Sequence, residues 1–259
     1  MPNYELQACR VAVIPLPGWE LFFARNDVNF YPVNFYVWIV RGNGLTGLID
    51  TGLPIDPTER QRIIEVCQYV DDRCLFTEIV PLDQLYQRCN LKPEQIDFVL
   101  LTQTLTYHAG GLAEHLMPRA QVYVSRAGMT EFLLDNPGHP PRDLYFTAAG
   151  WNYLRKLAIE GRLHLVDDPT EVAPGLIYET TGGHHPGSAG VRVQTALGTT
   201  GILETVALQR NIDDEHPMGV AENVALCRQV IRRYKRECDV VFADHDPGIL
   251  ERFPDGFIR

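Results

Sequence analysis

Three histidines stand where a sheet scaffold commonly does its chemistry. His108 precedes Ala109-Gly110-Gly111, where a strand turns into a helix. His184 lies in Gly182-Gly183-His184-His185-Pro186-Gly187, a turn between two strands, and His245 lies in Ala243-Asp244-His245-Asp246-Pro247, past the last strand. An imidazole can ligate a metal or carry a proton near neutral pH. Strand ends beside Gly or Pro are where binding and catalytic groups are presented. One such histidine is usually a hydrogen-bonding or surface residue; three together call for a common explanation.

The elements around them read as alternating strands and helices. Arg10–Leu16 and Leu21–Ala24 read as strands, and Asn34–Arg41 and Leu45–Asp50 flank the hairpin signal Gly42-Asn43-Gly44. Asp56-Pro57-Thr58-Glu59 predicts a helix start, with Asp56 as cap, Pro57 at the first turn and Glu59 in the capping-box position. A helix over Leu82–Cys89, a strand over Asp97–Thr102, a short helix after Gly110-Gly111, a strand over Gln121–Ser125 and a helix over Arg126–Leu134 follow. Beyond a Pro-rich loop (Asn136–Pro141) comes a helical stretch near Thr147–Glu160. Strands at His164–Val166, Leu176–Glu179, Val191–Thr195 and Thr200–Val206 then open a second half, before a helix carrying Val220, Val224, Cys227, Ile231 and Tyr234 on one face and a last strand Asp239–Ala243. No Gly/Ser linker divides the chain. The pattern predicts one domain, 1–259, of two sheets with helices outside.

The 259 residues carry 33 acids against 23 bases, a net charge of −10. That balance argues against nucleic acid as a partner. The longest apolar stretch, Val33–Val40, is too short to cross a bilayer, and no signal peptide precedes it. The expected setting is the cytoplasm, with no membrane association. Cys9, Cys67, Cys74, Cys89, Cys227 and Cys238 form no CxxC pair and read as reduced, partly buried thiols. No P-loop, GxGxxG or GxSxG motif is present, which argues against nucleotide chemistry and a Ser triad.

The order of segments resembles the metallo-β-lactamase superfamily, in particular its N-acyl homoserine lactonase-like branch. Leu48-Ile49-Asp50-Thr51-Gly52-Leu53 resembles its Asp-Thr-Gly turn, and Asp97–Thr102 the strand feeding its metal motif. Gly183-His184-His185-Pro186-Gly187 resembles its Gly-His-Thr-Pro-Gly turn, and His245-Asp246-Pro247 its C-terminal segment. The match runs from about Val33 to Phe253. It implies a four-layer αββα sandwich with the site at strand ends between the sheets, a small-molecule substrate, and a hydrolase of the lactonase or esterase class; it leaves a homodimer open.

The resemblance departs at the chemistry. The family's His-x-His-x-Asp-His motif falls on Gln103-Thr104-Leu105-Thr106-Tyr107-His108, of which His108 alone matches, and the place of the metal-bridging aspartate falls on Thr205, beside Glu204. Leu105 offers no donor, and Gln103 and Thr205 are weak neutral oxygen donors. An ordinary two-metal centre is therefore not expected. One reading is a single divalent transition metal, zinc or iron, on His108, His184 and His245, since three imidazoles plus water make a catalytic site. Tyr107, Glu204 or His185 could then add a ligand or act on protons, although His185 is expected to face solvent. The others are a metal-free acid–base enzyme and a non-catalytic binding protein. Asp50 is expected either to orient a ligand as hydrogen-bond acceptor or to close an Asx turn. The aromatic run from Trp19 to Trp38 is expected mainly in the core, with a minority lining an apolar pocket.

Overall fold

Strands β1 (Glu5–Pro17), β2 (Phe30–Gly42) and β3 (Leu45–Ile49) form an antiparallel meander, joined in parallel by β4 (Phe98–Leu100), β5 (Gln121–Ser125) and β6 (Leu163–Val166). A second sheet holds β7 (Thr170–Ala173), β8 (Leu176–Thr180), β9 (Ala189–Thr195), β10 (Gly198–Leu203) and β11 (Val240–Ala243), antiparallel except for the β10–β11 pair. Strand β12 (Phe257–Ile258) returns to pair with β1. This is a computed structural model that describes residues 3–134 and 144–259.

The two sheets face each other because their strands alternate apolar residues between two buried faces. On β2, Tyr36, Trp38 and Val40 enter the cluster between the sheets with Tyr178, Val191, Ile202 and Phe242, whereas Phe35, Val37 and Ile39 belong to the cluster under the helices. The long apolar run of the sequence is thus a strand buried on both sides.

The helices are α1 (Gly18–Leu21), α2 (Pro57–Gln68), α3 (Leu82–Arg88), α4 (Thr106–Ala109), α5 (Arg126–Leu133), α6 (Ala148–Glu160), α7 (Gln209–Asp213), α8 (Val224–Glu237) and α9 (Gly248–Arg252). Helices α3, α5 and α6 pack on the first sheet, and α7 and α8 pack on the second. Asp56 caps α2 by accepting from the amides of Thr58 and Glu59. Glu59 does not complete a capping box: its carboxylate accepts from Ala148 N at 2.9 Å, at the start of α6.

Other sequence expectations shift. Leu21–Ala24 is not a strand; Pro17 ends β1, and Gly18 starts a helical turn whose amide donates to Asn29 O at 2.8 Å. His164–Val166 belongs to β6 and the first sheet, not to the second half. Strands β7 and β12 are short edges with too little alternation to announce themselves. Helix α8 starts at Val224, capped by the Asn223 side chain, so Val220 lies outside it. The expected loop Asn136–Pro141, with His139, lies outside the described residues.

Candidate functional site

Five strand ends converge on one place. Asp50 follows β3, Thr102–His108 follows β4, His184 lies between β8 and β9, Glu204 follows β10, and Asp244 and His245 follow β11. The loop carrying His108 is fastened to the turn after β3. Thr51 donates from its amide and its hydroxyl to His108 O at 2.7 and 2.9 Å. Gly110 and Gly111 follow because the two chains nearly touch: a Cβ would stand 2.3 Å from Pro54 N at Gly110 and 2.4 Å from Thr51 O at Gly111.

The Asp50 side chain, on a backbone with φ of 61°, reaches back into the site. Its Oδ1 accepts from Thr102 N at 2.7 Å and its Oδ2 from Thr102 Oγ1 at 2.5 Å. The same Oδ2 lies 2.6 Å from His108 Nδ1. Burial raises the Asp50 carboxyl to about 8 against the pull of the Thr102 bonds, and burial lowers His108 to about 4. With Nδ1 held by Asp50, His108 Nε2 is left buried with no hydrogen-bond partner among the described residues.

His245 is set up the same way. Its Nδ1 lies 2.9 Å from the carbonyl of Asn34, which can only accept, so Nδ1 carries the proton and Nε2 is bare. Burial lowers His245 to about 3. Its ring packs on Phe35 with centroids 4.6 Å apart and on His108 at 5.1 Å. Asp244 accepts from Trp38 Nε1 at 2.7 Å, and burial, with Asp50 nearby, lifts its carboxyl to about 7. Donor atoms of His108, Asp244 and His245 lie within 4.8 Å of one another.

His184 stands apart from that group, with Nε2 3.7 Å from Glu204 Oε1 and Nδ1 buried without a partner. Burial first, then the neighbouring histidines, lowers it to about 3. Glu204 Oε1 accepts from Gln103 Nε2 at 2.7 Å, and Ser188 also hydrogen-bonds the carboxyl. Burial drives the Glu204 carboxyl well above its usual range. Thr205 does not face the site: its hydroxyl meets Thr181 Oγ1 at 2.8 Å and donates to Gly182 O at 3.2 Å. In the turn after β10 Thr205 is bonded to Thr181 and Gly182 while Glu204 meets Gln103 and His184, so Glu204 brings a carboxyl group where the sequence placed a threonine. Asp244, quoted in the sequence but given no role there, supplies another.

His185 is not solvent-facing. It is 5% exposed, with Nδ1 3.1 Å from Glu131 Oε2 and Nε2 3.9 Å from Glu222 Oε1. The turn is pinned tightly, since Gly183 has φ of 92° and a Cβ there would lie 2.8 Å from Cys227 Cα. That sends His184 and His185 into two different buried environments.

A cavity of about 160 Å³ opens on the site. Glu20, Tyr107, His184, Glu204 and His245 are among its polar lining residues, and Leu16, Leu21, Phe76 and Met218 are among its apolar walls. No Lys or Arg lines it among the described residues. Of the aromatic run from Trp19 to Trp38, Phe35 lines the cavity; Ile14, Leu16 and Val33, on the same strand pair, are aliphatic lining residues.

The backbone matches solved structures along its full length. An N-acyl homoserine lactone hydrolase with N-hexanoyl-L-homoserine bound at its catalytic metal centre superposes with a TM-score of 0.79, covering 100% of both chains at 18% identity. A quorum-quenching N-acyl homoserine lactone lactonase gives 0.77, over 100% of this chain and 99% of that one, at 19% identity. A hydrolase of the β-lactamase superfamily gives 0.62 over 99% and 89%, at 16% identity.

The chain has the metallo-β-lactamase fold.

No family model and no curated protein matches the sequence. The strand ends that converge in this metallo-β-lactamase fold are those on which the resemblance placed the site. No described helix is long and apolar enough to cross a membrane.

Proposed function

We propose that the chain is a hydrolase-like enzyme that holds one divalent transition metal and acts on a small, neutral, partly apolar ester or lactone. The observation that carries this is the buried, unpartnered Nε2 of His108 beside His245 and Asp244. Buried polar atoms are rarely left unsatisfied, and each of these imidazoles has its other nitrogen held by an oxygen acceptor, as metal-bound histidines do. Two imidazoles and a carboxylate fit one zinc or iron dication with room for water. A second metal fits poorly, because Leu105 has no donor and Gln103 and Glu204 bond to each other. A bound dication would polarise a carbonyl and acidify water.

The chain's own residues supply the rest. Glu204, whose carboxyl burial biases toward the neutral acid, lines the cavity and is the group to give a proton to a leaving alkoxide. Burial first, then Glu204, raises the Tyr107 phenol well above its usual value, so it serves as a hydrogen-bond donor to a developing oxyanion rather than as a phenolate. The apolar walls and the lack of a lining cation suit a neutral acyl or alkyl group better than a carboxylate or phosphate.

A metal-free acid–base enzyme is the second reading, and the buried Glu204 carboxyl, with Oε1 3.7 Å from His184 Nε2, favours it. Elemental analysis of protein purified without chelator separates the two. One equivalent of metal is expected in the wild type and in His185→Gln, with loss in His108→Ala while the circular dichroism spectrum persists. A metal-free wild type would leave the second reading.

A further inference from the structure

The thiols of Cys9, on β1, and Cys89, which ends α3, lie 3.7 Å apart although 80 positions separate them in the chain. Cys9 is 9% exposed and Cys89 is half-buried, so one sulfur is sheltered and its neighbour is reachable from solvent. Contact with Cys9, in which either thiol can donate, favours the Cys89 thiolate, and Arg41 and Arg88 add positive charge beside it. These influences bring Cys89 down to about 7, whereas the same contact and burial push Cys9 up. Burial pushes Cys67 up to about 12, and Cys227 and Cys238 to about 11. The thiolate is the nucleophile, so reactivity concentrates at Cys89.

We infer that Cys89 and Cys9 form an oxidisable dithiol, with Cys89 attacking hydrogen peroxide and Cys9 resolving the product to a disulfide. The Cys89 thiolate attacks one peroxide oxygen and the O–O bond breaks, giving Cys89 sulfenic acid and hydroxide. The Cys9 sulfur then attacks the Cys89 sulfur, the S–O bond breaks, and water leaves as the Cys9 proton is given up. Two electrons pass from the sulfurs to the peroxide. The two sulfurs must close from 3.7 Å to a bond of about 2 Å, a movement within reach of side-chain rotation at the end of a helix. The disulfide would tie β1, whose Ile14 and Leu16 line the cavity, to α3.

The test is peroxide treatment of the native full-length chain, alkylation of remaining thiols, and non-reducing peptide mass spectrometry. The expected product is a Cys9–Cys89 linked peptide lighter by two hydrogens and restored by dithiothreitol. In Cys9→Ser, Cys89 should stop at a sulfenic acid trapped by dimedone; Cys89→Ser should leave Cys9 unoxidised. Thermal melts of both variants establish that the fold persists. If a variant does not fold, the wild-type peptide map decides alone. Faster oxidation of Cys67, Cys74, Cys227 or Cys238, over-oxidation of Cys89 with Cys9 still free, or a link between two chains would each overturn the inference.

Discussion

Asp50 Oδ2 lies 2.6 Å from His108 Nδ1, with Thr102 holding the same carboxylate from the other side. The contact fixes which ring nitrogen of His108 is free, and so which one faces the centre of the site.

Asp50→Asn keeps the size of the side chain but replaces one of the two carboxyl oxygens that Thr102 and His108 share, so the contact that orients His108 is disturbed. Metal affinity should fall about 10–100-fold, as when other acceptors behind metal-bound histidines are lost. Competition against a chromophoric chelator measures it; wild-type affinity in the variant would mean that Asp50 only closes the turn.

The donor sets can be told apart. If His108, His245 and Asp244 hold the metal, Asp244→Asn should release it and His184→Ala should keep it. The converse result would restore the three-histidine arrangement that the sequence suggests. Elemental analysis of the two folded variants decides.

Tyr107→Phe removes a hydroxyl at the end of the cavity and little volume. A hydrogen-bond donor to the reacting group predicts a rate loss on the order of a hundredfold. Full activity would leave Tyr107 as packing against Phe35, whose ring lies 5.3 Å away.

Glu204 gives a pH signature in metal-free protein. Its folded-state value is raised by burial above the ordinary 4.5. The folded state therefore keeps a proton that the unfolded chain loses, and stability should fall as pH rises from about 4.5 towards the folded value. Glu204→Gln, which cannot ionise, should flatten that part of the profile. Urea midpoints at about pH 5 and about pH 8 in the two proteins measure it; equal slopes would mean that Glu204 ionises freely in the fold.

The sequence by itself determined the scaffold. Val33–Val40 is apolar at every position except Asn34, which suits a strand buried on both faces, and Asp56-Pro57 starts a helix through local backbone chemistry alone. The Asp-Thr-Gly turn and the three histidines were legible because strand ends, glycines and prolines mark them locally. Tertiary structure decided which groups meet. Glu204 rather than Thr205 faces the site because the turn after β10 commits Thr205 to Thr181 and Gly182, partners more than twenty positions away in the chain. His185 is buried because Glu131, on α5, and Glu222, before α8, close around it. Asp244 joins His108 because Trp38, from β2 of the other sheet, holds its carboxylate. Contacts across scores of residues depend on how two sheets pack, and that geometry has no signature in any short stretch of sequence.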